Sequence, residues 1–409
     1  MPPFRATFAA RFARAGLAAL PLLAAPAHAE EAEARHRLFV ADQAAGRITV
    51  IDLAEGGGRW SFDIGGPARL YPLAGGSVIA AVQSDGDRVQ FLDSGMTLSD
   101  HGDHADLEVA DPALLEGDLT GAYPVHVVSH GGETAINFDQ AGYAAILDDR
   151  DLAEGRIAPV TFPQARAHHG FVAGFGEVML GSVASDAPAS AEGSVPRLGL
   201  AAFHRDGTAA GPVQTCTAIH GEAVSGTMLA AGCREGVLTA MVEGDSVAYR
   251  MLPYPADFPE GTTGTLHGGR AMQIFLGNHG ADGLVVIDPE AEPHMRRIAL
   301  PFRRVDFGLD PVDPATGWAL TEDGSLHGID LLQATVTDSL RVTGPYSMDG
   351  HWNDPRPRLA MTGDEVLVSD PAAEAVHRVA VDGLRLTGTI GVEGLPFNMT
   401  LAGGSGVAH

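Results

Sequence analysis

Short apolar runs that end in aspartate recur along almost the whole chain, and this repeat constrains the fold more than any other feature. Runs of this kind end at Asp52, Asp93, Asp148, Asp288, Asp330 and Asp382. The intervals 52–93 and 288–330 are 41 and 42 residues long, and turn-forming Gly, Asp, Asn and Pro separate the runs. Four short strands in each repeat of about 40 to 45 residues are typical of a β-propeller. A single sandwich or barrel of this length would be unusually long.

The number of predicted blades follows from the run that begins each repeat. Eight such runs are found, at residues 69–74, 124–129, 169–174, 220–225, 264–270, 305–309, 356–361 and 396–401. The first segment lacks an inner strand of its own, so we expect residues 396–401 to supply it and close the ring, which removes two exposed strand edges. We therefore predict an all-β propeller of about eight four-stranded blades. Seven blades remain possible because the boundaries of the repeats are hard to place within residues 303–361.

The N-terminus has the pattern of a secretory signal. Arg5, Arg11 and Arg14 precede an apolar stretch at 15–25, and Ala27-His28-Ala29 fits the rule for cleavage after small residues. We predict that residues 1–29 are cleaved and that residues 30–409 form a single propeller domain exported to the periplasm. The apolar stretch is too short for a permanent span, and no later stretch suits one, so we expect no stable membrane insertion.

Charge and cysteine content narrow the classes of partner. Removing the three arginines of the signal takes the formal charge from −26 to −29. Such a chain attracts cations and is unsuited to nucleic acid, whose phosphates require Lys and Arg. Only Cys216 and Cys233 are present, which excludes a four-cysteine zinc site. Export favours a disulfide between them, and pairing of the run after Ile219 with residues 228–232 as a hairpin would bring them together.

Residues 99–106 read Ser-Asp-His-Gly-Asp-His-Ala-Asp and contain five potential metal ligands. These ligands are Asp100, His101, Asp103, His104 and Asp106. The segment has no bulky apolar side chain, so we expect a solvated loop. Imidazole and carboxylate together suit zinc, copper or nickel, and the glycine between the two histidines lets both rings turn toward one point. The alternative is an acidic connector that happens to contain histidine.

Three histidines occupy nearly equivalent positions in consecutive blades. His126, His169 and His220 each precede the next strand-like run by eight or nine residues. Inner strands of a propeller line its central channel, so the three imidazoles should converge at one channel mouth. Three imidazoles and one further ligand or water form a tetrahedral zinc site. The alternative is that each histidine caps a turn by hydrogen bonding.

Three other histidines are weaker candidates for the same channel. His168 adjoins His169 and would point the opposite way on a strand. His267 begins a similar Leu-His-Gly-Gly stretch on the sixth blade and is either a fourth ligand or a turn residue. His409 follows the closing strand, from which it either reaches the channel or is disordered.

The sequence carries no recognisable catalytic motif. It has no Gly-x-Ser-x-Gly elbow, P-loop, His-Glu-x-x-His or dinucleotide fingerprint. Propeller hydrolases with a channel metal usually hold it with Glu, Asn and Asp, whereas here the inner runs present histidine. We therefore expect a non-enzyme.

These features together resemble the AztD-type periplasmic zinc metallochaperones. The resemblance covers the whole predicted mature chain and rests on the Asp-His-Gly-Asp-His-x-Asp segment at 100–106 and on Pro124-Val125-His126, His168-His169-Gly170 and Ile219-His220-Gly221. It implies two zinc sites, one on His126, His169 and His220 and one on His101, Asp103 and His104. It also implies transfer of zinc to the solute-binding protein of a zinc ABC transporter. The residue that completes each site is not fixed by the motif.

Two other functions remain as alternatives. A lactonase-like hydrolase would use a channel metal as a Lewis acid and keep a water-occupied coordination position. An interaction scaffold would bind no stoichiometric metal.

Overall fold

The computed structural model describes Met1 and residues 33–100, 105–190, 195–244 and 246–408. Apart from Met1, the predicted signal at 1–29 lies outside these residues. Within them, 35 β-strands form eight sheets around a ring. The same residues contain one short α-helix, α1 (Asp149–Ala153), and no helix with the length and apolarity needed to cross a membrane.

The sheets follow one another in chain order, and each is a blade. Blade 1 comprises β1 (Glu33–Asp42), β2 (Arg47–Asp52) and β3 (Arg59–Asp63), and blade 2 comprises β4 (Arg69–Leu73), β5 (Val78–Gln83), β6 (Arg88–Asp93), β9 (Ala113–Leu114) and β10 (Leu119–Thr120). Between β6 and β9 lie β7 (Met96–Asp100) and β8 (Ala105–Val109). Blade 3 contains β11 (Pro124–His130), β12 (Glu133–Phe138), β13 (Tyr143–Asp148) and β14 (Val160–Pro163). Blade 4 contains β15 (Val172–Phe175), β16 (Val178–Ala184), β17 (Arg197–Phe203) and β18 (Gln214–Thr215).

The remaining four blades repeat the same four-stranded antiparallel meander. Blade 5 contains β19 (His220–Ser225), β20 (Met228–Gly232), β21 (Gly236–Glu243) and β22 (Ser246–Pro253), and blade 6 contains β23 (Leu266–Gly268), β24 (Phe275–Asn278), β25 (Gly283–Ile287) and β26 (Met295–Ala299). Blade 7 contains β27 (Arg304–Leu309), β28 (Thr316–Thr321), β29 (Ser325–Asp330) and β30 (Thr335–Arg341). Blade 8 contains β31 (Leu359–Met361), β32 (Glu365–Asp370), β33 (Ala375–Ala380) and β34 (Arg385–Gly391).

The C-terminal strand closes the ring. β35 (Pro396–Ala408) pairs antiparallel with β1, with Phe39 opposite Thr400, and so becomes the inner strand of blade 1. The predicted eight blades and the predicted closure by the C-terminal strand are both confirmed. An open ring would expose an unpaired strand edge where the two chain ends meet, and the pairing of β35 with β1 removes that edge.

The hydrophobic core lies between neighbouring blades because the middle strands of each blade are buried on both faces. One cluster, for example, joins Phe171 and Leu180 of blade 4 to Leu229 and Leu238 of blade 5. This explains why the middle runs read as nearly continuous apolar sequence. Adjacent blades packed in this way hold the ends of their inner strands at fixed positions around the channel.

The segment 99–106 is not the simple solvated loop that we expected. β7 and β8 pair as an antiparallel hairpin, with Ser99 opposite Asp106 and Asp100 opposite Ala105. Backbone pairing accounts for the difference, since strands need no apolar side chain on their solvent face. β8 also pairs in parallel with the end of β35, so the hairpin extends the sheet of blade 1. The four residues 101–104 lie outside the described residues.

A buried arginine anchors the base of this hairpin. Arg37 is almost fully buried, and its Nη1 atom donates to the carbonyls of Ser94 and Ala110, at 2.8 and 2.6 Å. These two residues immediately flank the β7–β8 pair. The base of the hairpin is therefore fixed to the first strand of the propeller.

The two cysteines form a disulfide, as export favours. The Cα atoms of Cys216 and Cys233 lie 4.9 Å apart, and both side chains are buried. Cys216 precedes β19 and Cys233 follows β20, so the bond closes the predicted hairpin. It braces the strand that begins with His220.

Candidate metal centre

Three histidines on consecutive blades meet at one end of the channel. His126 lies in β11, His169 precedes β15 by three residues, and His220 begins β19. The Nε2 atom of His169 lies 3.3 Å from that of His126 and 3.1 Å from that of His220. Among the described residues, these three form the one group of His, Cys, Asp or Glu whose ligand atoms all lie within 4.8 Å of one another. The structure therefore brings together the three imidazoles that the repeat predicts.

Irregular backbone aims these rings into the channel. The pairing of β11 with β12 shifts register between Pro124 and Val127, and that of β19 with β20 shifts between His220 and Glu222. Such bulges redirect a side chain out of the regular alternation of a strand. The histidine of each inner strand lies at the bulge.

A hydrogen-bond acceptor lies behind each ring. His126 Nδ1 lies 2.8 Å from Glu222 Oε1, His169 Nδ1 lies 2.6 Å from Asp139 Oδ2, and His220 Nδ1 lies 2.7 Å from the Gly264 carbonyl oxygen. Carboxylates and carbonyls only accept, so each Nδ1 carries the hydrogen and donates it. In the neutral ring, Nε2 then presents its lone pair toward the other two rings. This arrangement of ligand and supporting acceptor is the one that protein zinc sites use to fix the tautomer and raise ligand basicity.

The supporting carboxylates are buried and come from different blades from the rings that they hold. Asp139 is buried, its Oδ1 atom accepts from Asn137 Nδ2 at 2.7 Å, and its backbone N–H donates to the Tyr123 carbonyl at 3.0 Å. Glu222 has a side chain only 8% exposed. The site thus ties blade 3 to both blade 4 and blade 5.

The position of the carbonyl group behind His220 depends on Gly221 and Asn278. Asn278 Oδ1 accepts from the backbone N–H groups of Gly264 and Thr265, at 2.8 and 2.7 Å, which orients the Gly264 peptide. Gly221 has a φ of +63°, and a Cβ placed there would lie 2.5 Å from the carbonyl carbon and oxygen of Gly264. Glycine at 221 therefore permits both the left-handed turn and the close approach.

Two of the three rings, those of His126 and His220, differ in basicity. Burial disfavours protonation of His126. The charge and the hydrogen bond of Glu222 outweigh this effect and raise the pKa of His126; the charge of Asp139 acts in the same direction, and that of Arg69 opposes it. Burial, together with the charges of the other two histidines, lowers the pKa of His220 to about 4. The hydrogen bond to the Gly264 carbonyl acts in the opposite direction. His126 is therefore a better proton acceptor than His220, which stays neutral at ordinary pH.

The imidazoles open onto a large cavity at the channel mouth. Its volume is about 940 Å³, and its wall includes Arg69, Tyr123 and Trp352 as well as the three histidines. Tyr123 has a φ of +59°, an uncommon value for a non-glycine residue. Its backbone N–H donates to Asp87 Oδ1 at 2.8 Å, which helps to hold this conformation.

The other predicted ligands do not join this cluster among the described residues. His168 is buried, and its Nδ1 and Nε2 atoms are hydrogen-bonded to the Arg166 carbonyl and Ser182 Oγ at 2.8 and 2.9 Å. His267 packs edge-on against Phe307 and lines a different pocket. Both rings have structural roles in this arrangement, and neither supplies a fourth ligand. His101, Asp103, His104 and His409 lie outside the described residues.

Asp139 and Glu222 are the functional residues that the sequence prediction missed. Glu222 follows His220 by two residues, but the register shift between them breaks the regular alternation, so its contact with His126, 96 residues earlier, is visible only in the folded ring. Asp139 directly follows β12, at a position where many strands of this chain end in aspartate. Its contact with His169, 30 residues later, becomes visible only in the folded ring.

The spacing of the ring nitrogens fits zinc. Tetrahedral zinc with Zn–N bonds of about 2.0 to 2.1 Å separates its nitrogen ligands by about 3.3 to 3.4 Å. The observed separations of 3.3 and 3.1 Å are close to this value. Three imidazoles without cysteine leave a fourth position for another ligand.

Among known proteins, a zinc chaperone matches this chain over nearly its whole length. The chain is 37% identical over 390 residues to the zinc chaperone AztD of Citrobacter koseri, and the match covers 95% of this chain and 92% of the relative. No protein-family model matches the chain.

Solved structures give the same picture. The crystal structure of Citrobacter koseri AztD superimposes with a TM-score of 0.87 at 36% identity, covering 92% of this chain and 100% of that one. The structure of apo AztD from the same organism gives 0.84 at 35% identity, covering 91% and 99%. The dihydro-heme d1 dehydrogenase NirN matches at 0.54 with 12% identity, covering 93% and 78%, and this likeness extends to the fold alone.

Proposed function

Because this chain belongs to the AztD family of zinc chaperones, we propose that it binds zinc on His126, His169 and His220 and transfers it in the periplasm to the solute-binding protein of a zinc ABC transporter. The observation that supports this most strongly is the orientation of the three rings. Each Nδ1 is held by an acceptor, and the Nε2 atoms converge at 3.1 and 3.3 Å. Three neutral imidazoles suit a borderline-soft ion such as zinc.

The β7–β8 hairpin is proposed to carry a second, transient zinc site. His101, Asp103 and His104 lie between its two strands, and the hairpin base is anchored by Arg37. Carboxylates near the site attract cations and speed their capture. We propose that the channel stores zinc and that the hairpin exchanges ligands with the partner, so that the ion is not released to bulk water. His409 remains a candidate to complete one of the sites.

Two other functions give different expectations. A hydrolase would turn over lactones or esters at a metal-bound water, and a scaffold would bind no stoichiometric zinc. The relative that matches this chain is named as a chaperone and not as an enzyme. We therefore favour the carrier.

Transfer kinetics test the proposed role. Zinc-loaded protein is mixed with the zinc-free solute-binding protein of the same organism's zinc transporter, and zinc arrival is followed by the partner's intrinsic fluorescence. The variant His101→Gln/His104→Gln should transfer more slowly while its channel affinity is unchanged. His204→Gln, which alters an exposed histidine in blade 4, serves as the matched control. An unchanged transfer rate in the double variant would remove the hairpin from the mechanism.

Export has its own test. N-terminal sequencing of protein recovered from the periplasm should begin at Glu30. A mature protein that starts at Met1 would contradict the predicted signal.

A further inference from the structure

An arginine lines the same cavity as the three histidines and has no carboxylate partner among the described residues. Arg69 begins β4, and its guanidinium carbon lies 4.7 Å from the centre of the Trp352 ring. It also lies near the Tyr71 hydroxyl, where it opposes the rise in pKa that burial causes. These contacts hold the guanidinium in place and do not neutralise its charge.

The tryptophan under this guanidinium is held by a buried arginine. Arg356 is only 4% exposed, and it donates to the carbonyls of Ser347, Asp349 and His351, at 2.9, 2.8 and 2.9 Å. These carbonyls belong to the segment that presents Trp352 at the cavity mouth. Trp352 is nevertheless 51% exposed. The stacked pair of Arg69 and Trp352 is therefore a fixed feature of the rim.

The charges within the cavity favour an anion once zinc is bound. Zinc on three neutral imidazoles adds two positive charges, and Arg69 adds a third. The carboxylates of Asp139, which also lines the cavity, and of Glu222 each accept a hydrogen bond from one ring, so they offset two of these three positive charges and leave one. Among the described residues no fourth ligand joins the three histidines, so the fourth position of a tetrahedral zinc site is left to another group.

We propose that the zinc-loaded cavity binds a carboxylate between the metal and the Arg69 guanidinium, one carboxylate oxygen completing the zinc coordination and the other accepting from Arg69. This inference rests on the proposed zinc site. A planar guanidinium stacked on an aromatic ring is the preferred cationic partner for a carboxylate. A carboxylate side chain of the acceptor protein would then be the first entering ligand in the transfer of zinc.

Cobalt(II) provides a spectroscopic test, because its visible absorption reports coordination number and ligand type. The protein is loaded with cobalt(II) and titrated with acetate and with an amidated peptide that carries one glutamate. In the wild type, both carboxylates should shift the spectrum in a saturable manner, and acetamide should not. In Arg69→Met the carboxylate dissociation constant should rise by about tenfold, since hydrogen bonds to charged groups are among the stronger ones. Arg69→Lys should restore part of the affinity.

The outcomes separate this inference from the zinc site itself. Failure of the wild type to take up cobalt(II) or zinc would overturn the metal site. Normal metal uptake with equal carboxylate affinity in wild type and Arg69→Met would overturn the anion site alone. Tighter binding of the peptide than of acetate would support a protein side chain as the ligand, and equal or weaker binding would support free small carboxylates. Arg47→Met, which removes an exposed arginine of blade 1 that pairs with Asp63, controls for net charge.

Discussion

The Nε2 atoms of His169 and His220 lie 3.1 Å apart on neighbouring blades, while the Nδ1 atom of each ring is hydrogen-bonded to an acceptor behind it. Two lone pairs at this distance repel each other unless a proton or a metal ion lies between them. The rings cannot turn away without breaking their outer hydrogen bonds. The fold therefore holds the imidazoles in an arrangement that a cation stabilises.

Removing the charge of a supporting carboxylate should weaken zinc binding. Asp139→Asn and Glu222→Gln keep the size of each side chain but weaken the hold on His169 and His126, so we expect each to cost about 10- to 100-fold in zinc affinity. Competition titration with a zinc chelator measures this. Asp63→Asn, at an exposed carboxylate, should leave the affinity unchanged. Wild-type affinity in both variants would show that the outer hydrogen bonds do not matter.

Gly221→Ala should disturb the site through the Gly264 carbonyl. The new Cβ meets that carbonyl at 2.5 Å, and φ is already +63°. Gly226→Ala is the matched control, since Gly226 has a φ of +58° but the nearest atom to an added methyl group there is Gln273 Nε2, at 3.5 Å. The control should lose about 1 to 2 kcal/mol of stability from backbone strain and keep its zinc affinity. Gly221→Ala should lose more stability and at least about tenfold in zinc affinity. Equal zinc affinities in the two variants would contradict this explanation.

Zinc binding should release protons in the neutral range, because protonation of His126 competes with zinc. The pKa of His126 in the folded, zinc-free protein lies above the unfolded value of about 6.5. Protonation of His126 therefore stabilises the folded protein most fully below about pH 6.5, and this stabilisation is lost as the pH rises through the raised pKa. His220, with a pKa of about 4, contributes no competing proton. Zinc affinity should thus increase with pH until His126 is neutral. Calorimetry in buffers of different ionisation enthalpy counts the protons, and pH-independent affinity between about pH 6 and 8 would contradict the assignment.

The fold was largely predictable because its signals are local in sequence and repeated. Aspartate-terminated apolar runs indicated the blades, and the run at 396–401 indicated the closing strand, which the structure confirms as β35. The β7–β8 hairpin was missed because residues 99–106 have no bulky apolar side chain, whereas the side chains that pack it into the core, Met96 and Leu107, lie just outside that segment. Only the folded ring shows that β8 pairs with the C-terminal strand.

The candidate site was predictable only in part. Equivalent positions on adjacent blades pointed to His126, His169 and His220, since a propeller places such positions side by side. The supporting groups lie 96 residues from His126 and 30 from His169 in sequence, so local patterns do not connect them. Arg69 escaped notice for the same reason, because its relation to the histidines depends on the channel that both of them line.

The disulfide should stabilise the protein without taking part in metal binding. It joins residues 17 apart, and a loop of about 15 residues is worth roughly 3 kcal/mol of unfolding free energy. Cys216→Ala/Cys233→Ala should therefore lower the unfolding free energy by about this amount in guanidinium titrations, with zinc affinity little changed. Reduction of the wild type by dithiothreitol should give a similar loss, which separates the bond from the packing of the sulfur atoms. An unchanged unfolding midpoint in both experiments would contradict the prediction.

Calorimetric zinc titration of the chelator-stripped protein tests the central claim most directly. The wild type should show a tight site that is lost in His126→Gln/His169→Gln/His220→Gln and retained in His101→Gln/His104→Gln. A second site abolished only by the latter variant would support the proposed role of the hairpin. Full retention of tight zinc binding in the triple variant would contradict the channel site, and with it the proposal that the propeller stores zinc on these three histidines.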